Sequence, residues 1–407
     1  MKLCPFRMLK FSQDIRLMNK KLILIVVLLF LYTQAYCAPS VSTVSDDTPY
    51  DGQSITVTGA DFGAKATAAP LVFETFEAGA DGIGIRGQNC SGYGAWRDID
   101  GWGDFAPVYT DDNQRTGSGL SSYHYLDTTD PVDPQSHADL WITFSETHVE
   151  TLTISFWYRL TTNTTGSDGS VQFKMWRLTN NESDGWDDNS HSAFLESWWS
   201  NRPAGYLGLT QLYHASNTPT TFVAEGDTTL SPNVVDDGTW AQVILQLKQG
   251  TAGTATGTIR YWHHDYYYED IGNLLTYTSF NDWERVLFGY WLGNDDNQMS
   301  TAEYQIDDVY IDSSWQTVWI GNASTWAACT AREIQPQSSR TDTSASIVVN
   351  QGGLSGDAWL YVMDADGAVS GGHPVTFGSQ PTLPGAGKFG AGNSLLIQAG
   401  NQIIIGG

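Results

Sequence analysis

Cysteine is scarce in this chain of 407 residues, with four in all. Two fall within the first 37 residues, leaving only Cys90 and Cys329 beyond them. That is too few for a zinc site. In an oxidising compartment the two suffice for a single disulfide, although the sequence does not establish the pairing. Basic residues are scarce too: 20 Lys and Arg stand against 45 Asp and Glu, a net charge of −25. So acidic a surface repels nucleic acid and anionic lipid at long range. The apolar run Leu22–Tyr32 has 11 residues, short of the about 20 that a membrane-spanning helix needs. No stretch keeps a 3.6-residue period, which argues against a helical fold. A serine-nucleophile elbow, a phosphate loop and a zinc-protease helix are all missing.

What is present begins with a leader. Lys20 and Lys21 precede the apolar run, and Ala35 and Cys37 stand at the −3 and −1 positions of a signal-peptidase site. Residues 1–37 are therefore expected to be a cleaved bacterial-type signal peptide, giving a secreted, extracellular protein with no remaining membrane span. They carry six Lys/Arg and one Asp, so their removal takes the net charge from −25 to −30. That charge suits an extracellular protein that holds Ca²⁺ through oxygen ligands, though solubility alone accounts for most of these acids.

Period-2 alternation, closely spaced turn residues and abundant Thr, Val, Trp and Tyr predict an all-β fold. Near the start, "PSVSTVSDDTPYDGQSITVTGADFG" reads as strands of a small β-domain, but "AKATAAPLVFETFEAG" (Ala64–Gly79) does not continue it. The missing strands lie near the other end, in "TVWIGNAS" (Thr317–Ser324), "TDTSASIVVN" (Thr341–Asn350), "AWLYVMDADGAVS" (Ala358–Ser370) and "HPVTFG" (His373–Gly378). Joined in this order, the segments resemble the IPT/TIG immunoglobulin-like family. The resemblance implies a discontinuous Ig-like β-sandwich over residues 39–65 and 316–378, interrupted by an insert at 66–315. Insertion is cheap where the ends of a loop lie close together. Inside the insert, "ETLTISFWYRL", "DDGTWAQVILQLKQG", "GTIRYWHHD" and "EYQIDDVYID" occur in sequence. They are similar to strands of the concanavalin A-like lectin/glucanase jelly roll, which implies a two-sheet sandwich with a face that commonly binds glycans.

Side chains alternate across a strand, so each strand offers two readable faces. In Leu152–Leu160 the core face is Leu152, Ile154, Phe156 and Tyr158, and the other carries Trp157 and Arg159. Strict alternation puts Val171, Phe173 and Met175 inward and Lys174 and Trp176 outward. It likewise leaves Arg285 and Trp291 outside Val286, Phe288, Tyr290 and Leu292, and puts Arg260, Trp262 and His264 on one side. Each non-core face thus pairs a Trp with a cation. Indoles cover the apolar C–H faces of sugars, while Arg forks onto uronate or sulfate groups. These nine residues are the expected glycan-binding surface, with ordinary packing as the alternative. The leading reading is a secreted, adhesin-like protein that binds a polysaccharide or cell-surface glycan, with no catalytic residues assigned.

Two other classes remain, the first of them an enzyme, a polysaccharide lyase or glycosidase. A polysaccharide lyase needs a cation and a Tyr or His base, for which Arg260, His264 and Tyr266 are at hand. The "ESDGWD" stretch (Glu182–Asp187) faintly resembles the catalytic strand of jelly-roll glucanases, but ends on Asp and contains a glycine, so a glycosidase signature is rejected. A structural subunit of a filament or coat is suggested by residues 379–407. There a Pro/Gly-rich linker leads to the uncharged "SLLIQAGNQIIIGG", expected to form a hairpin that docks on its own Ig-like domain or pairs with a neighbouring subunit. Finally, alternation puts Asp307 on the core side with Val309 and Ile311, where an unpaired carboxylate is costly. The opening "LVFETFEAG" resembles related carbohydrate-binding jelly rolls, which implies a structural Ca²⁺ shared by Glu77 and Asp307.

Overall fold

The computed structural model describes residues 38–89, 96, 106–116, 119–127, 135–136, 138, 140–143, 149–164, 171–179, 193–200, 206–214, 219–221, 237–251, 254, 256–263, 267–274, 285–294, 300–380, 395–398 and 402–405. Apart from one 3₁₀ turn at Trp326–Ala328, every regular element among them is a strand, and every pairing is antiparallel. The fold is all-β.

The larger sandwich has two layers. Its first sheet runs in the order Tyr267–Leu274, Gly257–His263, Asp237–Lys248, Thr151–Thr164, Ser300–Asp312, Ser121–Asp127 and Val108–Thr110, with Val72–Glu74 also paired to Ser300–Asp312. The second runs Pro219–Thr221, Tyr206–His214, Ala193–Ser200, Val171–Thr179 and Arg285–Asn294, flanked by Gln135–Ser136 and Leu140–Thr143. Alternation explains the core between them. Leu152, Ile154, Phe156, Tyr158 and Leu160 from one sheet meet Phe173, Leu178, Val286, Phe288 and Leu292 from the other, all buried.

A smaller sandwich is built from the two flanks of the chain. Ser54–Ala60 lies between Ser40–Val44 and Ser344–Val348, and Gln337–Arg340 completes that sheet. Facing it, Val318–Gly321 lies between Arg332–Gln335 and Asp357–Val362, with His373–Thr376 at the edge. Ile55, Val57, Phe62, Val318, Ile320, Ile347, Leu360 and Val375 form its core.

The sandwiches are joined by more than covalent crossings. Ile244 and Trp262, on the outer side of the first large sheet, enter one buried cluster with Trp319, Ile334 and Tyr361 of the small sandwich. At the crossings Arg340 donates to the carbonyls of Phe62 (2.5 Å), Gly63 (3.1 Å) and Met363 (2.7 Å), and Lys65 is ion-paired with Asp312. One outer face of the large sandwich is thereby taken up by packing. The other points away from the junction.

Candidate functional site

The nine residues expected to form one glycan surface are divided between two sheets. Trp157, Arg159, Arg260 and Trp262 belong to the first sheet, whereas Lys174, Trp176, Arg285 and Trp291 belong to the second. His264 lies outside the described residues, as do the lyase candidate Tyr266 and residues 180–192.

The first-sheet residues do point away from the core, but Trp157, Arg260 and Trp262 point into the junction. Trp157 is buried, its Nε1 donating to Glu333 at 3.3 Å with the Arg115 guanidinium 4.8 Å over its ring. Arg159 donates to the carbonyl of Gly238 at 2.7 Å and to Gln305 at 3.1 Å. Arg260 stacks 4.6 Å over Trp315 and donates to the carbonyl of Gly367 at 3.0 Å. Trp262 meets Trp326 edge-on in the shared cluster. Trp157, Arg260 and Trp262 hold the two sandwiches together and Arg159 braces neighbouring strands of its own sheet, so these side chains are withdrawn as glycan contacts. Trp176 is withdrawn for a different reason. It is 1% exposed and packs edge-on against Phe156 in the core. Between Phe288 and Trp291 the register with Val171–Thr179 slips, and Gly289 adopts a left-handed φ of 62°. Val286, Phe288 and Leu292 keep their alternation, whereas in Val171–Thr179 the core face passes from Phe173 and Met175 to Trp176 and Leu178, so it is that strand whose faces turn over.

The face of the second sheet opposite the core holds an aromatic and cationic group that is itself largely buried, Trp141 and Arg177 each being 7% exposed. Leu140 and Ile142 face the core, which leaves Trp141 between them on the outer side. The Arg285 guanidinium stacks over the Trp141 ring at 4.0 Å. Arg177 alternates with the core residues Trp176 and Leu178, and is paired in register with Leu287, itself opposite Trp141. One step along, Trp291, Lys174 and Trp198 occupy a single row across three strands. The sequence reading named Arg285, Lys174 and Trp291 and did not name Trp141 or Arg177. The short "LWIT" run gave too few alternations to assign a face, and the bulge inverted the reading at Arg177.

Glu77 and Asp307 do come together, lining a cleft of about 600 Å³ with Phe73, Asp308 and Asn350. Asp307, however, is not on the core side. The left-handed Asp308 (φ 48°) and a register slip between Asp307 and Tyr310 turn Asp307 toward Trp157 and leave Val309 and Ile311 in the core. Its Oδ1 accepts from the Asp308 amide at 2.8 Å, and its Oδ2 lies 3.6 Å from Arg115 Nε. Arg115 also donates to Glu333 at 2.7 Å and is ion-paired with Asp308. Burial, with the charges of Glu77 and Glu333, pushes Asp307 up to about 8 against the opposing pull of Arg115. Glu77 is raised by burial and accepts from the Leu120 amide at 2.9 Å. The counter-charge beside Asp307 is thus a guanidinium. No three Asp, Glu, His or Cys side chains group as metal ligands among the described residues.

Two interior histidines are sealed. Ser122 Oγ lies 2.9 Å from His124 Nε2 with both side chains fully buried, and burial pushes His124 down to about 4. His263 is buried at 2.5 Å from the Tyr158 hydroxyl. Cys329 is buried beside Tyr361, and Cys90 lies outside the described residues.

No family model and no curated protein matches the chain. Among solved structures it is similar to the endo-β-1,4-glucuronan lyase of the fungus Trichoderma reesei, at 15% identity and a TM-score of 0.37 over 54% of this chain and 95% of that one. The PL-14 alginate lyase of Aplysia kurodai aligns at 11% identity and 0.34, over 52% and 88% of the two chains. For the carbohydrate recognition domain of Emp47p the values are 10% and 0.33, over 60% and 99%. At these identities the likeness to two polysaccharide lyases and a carbohydrate recognition domain is one of all-β fold alone.

Proposed function

We propose that this is a secreted glycan-binding protein whose polysaccharide contact is the outward face of the second large sheet. The observation that carries the reading is the Arg285–Trp141 stack at 4.0 Å on the side of the sandwich turned away from the junction. An indole offers a flat apolar platform to the C–H face of a pyranose. Here Trp141 is 7% exposed and the Arg285 guanidinium is stacked over its ring, so the group presented is chiefly the guanidinium, whose paired donors suit a carboxylate or sulfate. Arg177 lies beside this pair with Glu196 opposite it in register, and Trp291, Lys174 and Trp198 share one register row on the same strands, within a chain whose net charge is −25. An acidic polysaccharide, of the uronate or sulfated kind, fits this local inversion of charge. Export through the leader at 1–37, and an IPT/TIG-like role of the small sandwich as support, belong to the same proposal.

Affinity electrophoresis against uronate and neutral polysaccharides tests it, with absorbance at 235 nm recorded in parallel. Retention is expected in the uronate gels without a rise in absorbance. Trp141→Ala and Arg285→Gln should each weaken retention several-fold, since an aromatic or cation–π contact contributes about 1 kcal/mol. Undiminished retention by a folded double variant overturns the site. A rise at 235 nm would replace binding with lyase chemistry.

A further inference from the structure

Leu395–Gln398 and Gln402–Ile405 pair antiparallel, with Leu395 opposite Ile405, Leu396 opposite Ile404, Ile397 opposite Ile403 and Gln398 opposite Gln402. Among the described residues the two strands form a sheet of their own and hydrogen-bond to no strand of either sandwich. The sequence alone favours docking on the small sandwich. The strand pairings do not make that connection.

Six of the eight paired positions are Leu or Ile. Three consecutive apolar residues in each strand cannot all fall on one face, so neither face of this ribbon is polar by sequence. A lone two-stranded sheet of this length is marginal in water. Its two outer edges carry unpaired backbone groups, and natural proteins blunt such edges with charge, proline or bulges. Here the register is unbroken, and no charged residue or proline occurs from Phe389 to Gly407. The remainder of the chain carries the entire net charge of −25, so copies repel one another everywhere else. The hairpin also lacks the Lys and Arg that would draw it to an anionic membrane surface. The 14 residues at 381–394 contain Pro381, Pro384 and four glycines, and a chain of that length spans at most about 50 Å.

We infer that the hairpin is a self-association element whose partner is the same hairpin in a second copy. Edge-to-edge strand addition satisfies the open backbone groups. Stacking of one apolar ribbon on another covers the faces, and the linkers keep the acidic bodies apart. Identical edges are self-complementary, so pairing can close as a dimer or continue as a row.

Sedimentation of the purified full chain against a variant ending at Gln380 tests the inference, because both share residues 1–380 and any association through those residues is common to them. The full chain is expected to show a concentration-dependent mass of at least twice the monomer. The truncated form and Ile404→Lys should remain monomeric with unchanged melting temperatures. A full chain that stays monomeric at every concentration overturns the inference, as does association that survives truncation. A lowered melt without a change in mass would show the hairpin covering its own chain instead. Co-flotation of the monomeric full chain with uncharged phosphatidylcholine vesicles would assign the hairpin to lipid.

Discussion

Arg115 sits among Asp307, Asp308 and Glu333 with its side chain 4% exposed. One cation facing several buried carboxylates leaves one of them protonated, and burial together with Glu77 and Glu333 selects Asp307. Folded Asp307 holds its proton up to about pH 8, while the unfolded side chain releases it near about 4. The stabilisation is therefore complete below the unfolded value and is lost as pH rises toward 8. Asp307→Asn keeps the shape and removes the titration. Melting temperatures of the variant should fall less than those of the parent between pH 5 and 9, and parallel curves would discount Asp307. Because Arg115 supplies the counter-charge, EDTA should leave the melt of the parent unmoved. The sequence makes Asp307 conspicuous, as a carboxylate among apolar neighbours. It does not reveal Arg115, which stands 193 positions from its partner Asp308 and in a stretch without a readable period.

Period-2 reading succeeds or fails strand by strand. In Thr151–Thr164 it separates the core row Leu152, Ile154, Phe156 and Tyr158 from the outward row Thr153, Ser155 and Trp157, as the burial and contacts show. In Val171–Thr179 and Ser300–Asp312 it inverts Trp176 and Asp307. Each inversion traces to one register slip with a left-handed residue beside it, Gly289 in one case and Asp308 in the other. A bulge adds one residue to one strand and exchanges its faces, and nothing in a single strand's composition announces it. Trp176→Ala should therefore act as a core truncation, costing about 3–5 kcal/mol in urea denaturation. A loss below about 1 kcal/mol would return Trp176 to the surface.

That the outward row of the first sheet is not solvent-facing belongs to the scale of the whole molecule. Faces are legible from one strand; what covers a face is not. Trp157, Arg260 and Trp262 satisfy every local criterion for a sugar platform, yet Glu333, Trp315 and Trp326 lie against them. The shared cluster and the Lys65–Asp312 ion pair at the crossing tie the two cores into one cooperative structure. Calorimetry of a chain truncated after Gln380 should show a single transition, and Trp262→Ala should lower all of it. Two separate peaks, only one of them sensitive to Trp262, would show that the sandwiches unfold independently.

Thr56 and Ser346, neighbours on paired strands, are 290 positions apart in the chain. At the about 5–20 residues per second of synthesis, the hairpin formed by Ser40–Val44 and Ser54–Ala60 waits roughly 15–60 s before its partner strand exists. During that time Ile55 and Val57 have no core to enter. Closure of the larger sandwich brings its two ends together, where Gly63 and Thr317 share one partner, Arg340. The order of assembly is thus set from the inside outward, and the first strands made are among the last to be paired.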